Sequence, residues 1–77
     1  MRLLFIKPYK YDTSLSLVTF EISRQQGAYF RIWAEERKYL YMGVDPSHYG
    51  IAQYGQIEVI QVRLPEVAIT EMVLRWG

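Results

Sequence analysis

The sequence predicts a mainly β protein, a single domain over 1–77 folded as a strongly curled antiparallel sheet or small barrel of about five to six strands. Three observations lead there. Short apolar runs separated by polar turns recur about every ten residues. The runs are rich in β-branched and aromatic residues, which suit a pleated, half-buried surface. Two of them switch phase part-way, at Leu17-Val18 and Val59-Ile60, as strands do where a sheet bends or bulges. The alternative is an α+β fold with a C-terminal helix over 66–76. A short helix near 46–53 is compatible with either.

Arg2 to Lys7 is a continuous apolar stretch, so it reads as a strand covered on both faces, with Pro8 ending its ladder. Tyr9 to Ser14 is a polar connection. Leu15 to Ile22 is the second strand, and Arg24-Gln25-Gln26-Gly27 turns the chain, with glycine available for positive φ. Ala28 to Ala34 alternates: Phe30, Ile32 and Ala34 point one way, Tyr29, Arg31 and Trp33 the other. Across a charged tip at Glu35–Lys38, the run Tyr39 to Val44 alternates too. Matching apolar faces pairs Ile32 with Met42 and Phe30 with Val44, and places Trp33 opposite Tyr41.

Asp45-Pro46 has the form of a helix start, which Gly50 limits to a turn or two. Gln56 to Leu64 is the strongest strand. After Pro65 the tail supports two readings. Ile69, Met72, Val73 and Trp76 fall at helical spacing with Glu71 and Arg75 one turn apart, whereas Val67, Ile69, Thr70 and Val73 favour a strand. The strand reading is preferred.

Composition limits function. A chain of 77 residues holds one small core, and its usual reinforcements are missing: there is no cysteine and one histidine. Disulfides, thiolate metal sites and a self-sufficient zinc site are therefore not expected, nor is any cofactor. No apolar run approaches the length of a membrane span, and Lys7-Pro8 cuts the opening patch too short for a signal peptide. A chain without cysteine suits a reducing compartment, so the expected location is cytoplasmic. It reads as a free-standing protein. Net charge is +1, split as +3 over residues 1–38 and −2 over 39–77, too little for whole-molecule attraction to nucleic acid. Lys7, Lys10 and Arg24 are the candidates for any local basic face.

Asp45, Ser47 and His48 are suggestive side by side, but residues so close in sequence project from one turn and cannot align as a triad. Glu35 and Glu36 beside Arg37 and Lys38 read as a solvated tip. Gly43, Gly50 and Gly55 lack the spacing and the following lysine of a phosphate loop. No catalytic residue is assigned, and the chain is not read as an enzyme. Gly27–Trp33 combines rings with a cation, as base-stacking strands do, yet its ring spacing is wrong and Arg31 is its sole cation.

What remains is surface. Tyr29, Arg31, Trp33, Tyr39 and Tyr41 would share the outer face of the predicted hairpin, and Trp, Tyr and Arg dominate interface energetics. The competing expectation is cover from within, with Trp76 packed on Trp33. The function read from the sequence is a small non-enzymatic protein-binding module: a regulator, an inhibitor or a subunit, self-association included. The alternative is a sheet that binds single-stranded nucleic acid.

Overall fold

The computed structural model describes residues 1–39 and 50–77, with side chains in the second segment from Tyr54 onward. Its elements follow as β1 (Arg2–Pro8), β2 (Leu15–Ser23), α1 (Arg24–Glu36), β3 (Gly50–Tyr54), β4 (Ile57–Pro65) and α2 (Glu66–Trp76). The strands form one open antiparallel sheet in the order β1-β2-β4-β3. The fold is therefore α+β with a C-terminal helix, the alternative of the sequence reading, and not a closed barrel of five or six strands.

Two long central strands set this arrangement. β2 and β4 pair without interruption from Leu15↔Pro65 to Ser23↔Ile57, centred on Thr19↔Gln61. Partners directly opposite share a face, so Val18 meets Val62 and Phe20 meets Ile60 on one side. Those residues, with Ile22 and Leu64, are buried beneath Phe30, Trp33 and Ala34 of α1 and Ala68 and Met72 of α2. Each helix begins at once after its strand and turns back over that same face. Two ββα units thus repeat in chain order, β1-β2-α1 and β3-β4-α2.

The second expected phase, Leu15 and Leu17, needs no bulge in β2. It marks a smaller cluster on the opposite face, where Leu15 and Tyr9 are buried outside the main core beside Arg63. The one register shift among the described strands lies in β1, between Leu3 and Phe5.

The main correction concerns 24–36. The strand and tight turn expected there are one helix, so the pairing of Ile32 with Met42 and Phe30 with Val44 does not form. Ser23 is its N-cap, its hydroxyl accepting from the Gln26 N–H at 3.2 Å. Gly27, Phe30 and Ala34 then fall on one helical face, at the same time as Phe30, Ile32 and Ala34 satisfy a period of two. A helix rotates Ile32 away from Phe30, and Ile32 is 55% exposed. The charged segment after Ala34 ends this helix rather than a hairpin, with Arg37 at the C-cap and Lys38 at φ 61. Residues 40–49, which include most of the predicted fourth strand and the predicted helix start, lie outside the described residues. Residues 50–53 belong to β3.

α2 replaces the preferred C-terminal strand. Pro65 fixes an extended backbone at its N-cap, and Glu66 and Arg75 at its two ends suit the helix dipole. Met72 is fully buried, and Ile69 and Trp76 pack on the core, but Ala68 takes the place expected for Val73. Glu71 accepts from both terminal guanidinium nitrogens of Arg37, the C-cap of α1, one at 2.8 Å, instead of pairing with Arg75.

One charge enters the covered face. Glu58 lies opposite Ile22 and is buried, with Arg31 of α1 bonded to it at 2.7 Å. Gly27 lies directly over this carboxylate: a Cβ there would overlap Glu58 Oε2. Close approach, not a turn, is what requires glycine. On helix propensity alone Gly27→Ala should stabilise by about 1 kcal/mol. Glu58 is buried and held by Arg31, so its carboxylate has little room to give way; overpacking then reverses the sign, and we expect a loss of about 1–3 kcal/mol in urea unfolding. A more stable Gly27→Ala protein would contradict this placement of Glu58.

Candidate interface on the edge strand

The residues expected to form one aromatic patch are separated by α1. Trp33 is buried, tilted against Phe30 at 5.6 Å and edge-on to Trp76 at 5.4 Å. Its indole N–H meets no acceptor among the described residues. Tyr39 is half-buried and tilted against the same ring at 5.4 Å. Arg31 is drawn to Glu58, and Tyr29 alone is well exposed. Tyr41 lies outside the described residues. The packing of Trp76 on Trp33, expected if the patch were covered from within, is present.

Exposed apolar side chains occur on both helices as well, Val67 and Leu74 of α2 among them, but β1 is the strand that carries three. This strand pairs with β2 on one side only, so it is an edge of the sheet. Phe5 is 68% exposed, Ile6 50% and Leu3 37%. Their partners show where they point. Phe5 is opposite Thr19, with Lys7 opposite Leu17, on the face away from the helices; Leu3 and Ile6 are opposite Phe20 and Val18 on the helix face. The sequence expectation that this strand is covered on both faces does not hold: Phe5 on one face and Ile6 on the other are exposed, while Leu4 between Leu3 and Phe5 is half-buried.

The face away from the helices is organised in rows across the strands. Arg2 adjoins Glu21, 3.4 Å away, and then Val59; Phe5 adjoins Thr19 and Gln61; Lys7 adjoins Leu17 and Arg63. Gln61 Nε2 donates to Thr19 Oγ1 at the centre, at 3.2 Å. At the Lys7 end the 9–14 connection folds over the sheet. Buried Arg63 donates to Tyr9 Oη at 3.4 Å and lies over its ring, Tyr9 meets Tyr11 edge-on, and Lys10 lies over Tyr11. The two tyrosine rings thus lie between two cations at this corner. Near the start of β1, Met1, Arg2, Glu21, Ile22, Ser23 and Ile57 line a shallow depression of about 290 Å³.

Asp12 holds the connecting loop. Its Oδ1 accepts from the Ser14 hydroxyl at 2.6 Å and from the Ser14 N–H at 3.0 Å. The two bonds, the hydroxyl's being the stronger influence, hold the Asp12 carboxyl below its usual range. A depressed carboxyl pKa stabilises the loop above the ordinary carboxylate pKa, and that support is lost as pH falls through the folded value. Carboxyl-carbon NMR titration should therefore find Asp12 titrating below a free aspartate. Ser14→Ala should return it towards the ordinary value; an unchanged midpoint would show that the hydroxyl bond is not made in solution.

Among the described residues no three His, Asp or Glu side chains are placed to hold a metal ion. Asp45, Ser47 and His48 lie outside the described residues. Fold and exposed surface together define an open-sheet ββαββα domain with an uncovered apolar edge. Comparison with protein-family models, with curated proteins and with solved structures finds no match.

Proposed function

We propose that this chain is a small non-enzymatic protein-binding module whose contact surface is β1 and the Tyr9–Ser14 loop beside it. The observation that carries the reading is the exposure of Leu3, Phe5 and Ile6 on both faces of an edge strand. A continuous apolar run is the pattern of a strand with cover on both sides. We take that cover to be supplied by another molecule. A strand edge also offers unpaired N–H and C=O groups, so a partner can add main-chain hydrogen bonds to apolar contact. Such a module acts as a regulator, an inhibitor or a subunit of something larger. A reducing, cytoplasmic setting suits a chain that contains no cysteine.

Single-stranded nucleic acid is the competing occupant, favoured by the exposed rings of Phe5 and Tyr11 near Lys7 and Lys10. The remaining exposed ring on the sheet, Tyr54, belongs to the opposite edge strand, so the rings do not line up as a stacking track.

The test replaces Phe5 and Ile6 together by Thr, which keeps β propensity while removing apolar surface. Both side chains are exposed, so thermal stability should stay within about 1 kcal/mol. Capture from native lysate by the unaltered protein should recover a stoichiometric protein that the double variant fails to retain. Recovery of RNA or DNA in its place, or equal retention by the variant, would refute the reading.

A further inference from the structure

We infer that the occupant of the β1 edge is an extended acidic segment of a different protein, added as a fifth strand, and not a second copy of this chain. This rests on the reading of β1 as the contact surface. It follows from what the strand carries and from what it opposes.

From Arg2 to Tyr11 the chain holds Arg2, Lys7 and Lys10 and no acidic residue. Glu21 answers Arg2. Lys7 and Lys10 meet no carboxylate among the described residues, and the row running inward from Lys7 ends at another cation, Arg63. The far end of the edge therefore presents two exposed lysines, while the nearest carboxylate along the chain, Asp12, is bonded to Ser14. A strand laid along it gains by placing an acidic side chain opposite Lys7, within reach of Lys10, and apolar side chains opposite Leu3 and Ile6.

A copy of β1 cannot supply that. Antiparallel partners must share a face, and the shift between Leu3 and Phe5 restricts which residues match. The register that pairs the whole of Arg2–Lys7 with its copy sets Leu3 against Ile6, which suits both. It also sets Arg2 against Lys7, twice by symmetry, and like charges directly opposite are destabilising. The face-matched register centred on Ile6 avoids this by pairing Phe5 with Lys7, but it shrinks to those few pairs. Beyond them Pro8, which has no N–H to give, falls opposite the irregular Leu4. Lysine, proline and a bulge on an edge are the features that keep like strands apart. All three still admit a partner of opposite charge.

The test uses the ¹⁵N-labelled full chain and two synthetic peptides, one alternating valine with glutamate, the other alternating valine with lysine. The glutamate peptide should slow amide exchange along Arg2–Lys7 and bind about tenfold tighter than the lysine peptide, with the gap closing as salt rises. Lys7→Glu combined with Lys10→Glu alters only exposed side chains, which a thermal melt will verify, and should invert the order of the peptides. Equal binding of both peptides at β1, or an order that the double variant leaves unmoved, overturns the acidic partner while keeping β1 as the contact surface. Failure of either peptide to protect β1 overturns the contact surface as well. Protection of β1 that grows with protein concentration and no peptide identifies a second copy as the occupant and also overturns the inference.

Discussion

The uninterrupted antiparallel pairing of β2 with β4 is the constraint from which the rest of the molecule follows. Because it keeps strict alternation across Leu15–Ser23 and Ile57–Pro65, it assigns every residue of the two strands to a face. One face receives Val18, Phe20, Ile22, Ile60, Val62 and Leu64, which fixes where both helices must lie. A one-residue slip would turn the three residues of one strand outward and split the surface that the two helices cover. β1 and β3 then have no position left except the two edges.

Covering one face of a four-stranded sheet with two short helices leaves an imbalance. The helices lie over the central pair, and β1 receives little of their protection. The sequence spends its cover unevenly elsewhere too: Glu58 occupies a core-facing position, kept there by Arg31 and by the absence of a side chain at Gly27. A buried carboxylate is costly unless paired, and removing its partner is costlier than replacing both. That pair ties the middle of α1 to β4, while Arg37, at the C-cap of α1, is bonded to Glu71 of α2. The aromatic cluster of Phe20, Phe30, Trp33 and Trp76 fills the space between.

Much of this was legible in the residues. The central strands stand out as apolar, β-branched runs, and Phe30 reads as core under either secondary structure. α1 was obscured because its apolar residues satisfy a period of two and a helical period together. The local signal that separates them is Ser23-Arg24-Gln25-Gln26, which has the Ser-x-x-Gln form of a helix N-terminus. With α1 misread, the aromatic face built on Tyr29, Arg31 and Trp33 had to fail as a single surface, since a helix turns Arg31 away from the other two and Trp33 is taken into the core. β1 was legible as a strand and misread in its surroundings. A continuous apolar run states that both faces want cover; it does not state whether the cover belongs to the same chain.

Native-state amide hydrogen exchange at low protein concentration tests that distinction most directly. Amides of β2 and β4 should exchange only through global unfolding, at the slow limit set by overall stability. In β1, amides bonded to β2 should be protected while those facing outward exchange as solvent-exposed groups, giving an alternating pattern along Arg2–Lys7. Uniform protection of β1 in the isolated monomer would mean that the chain covers its own edge, and would contradict the account.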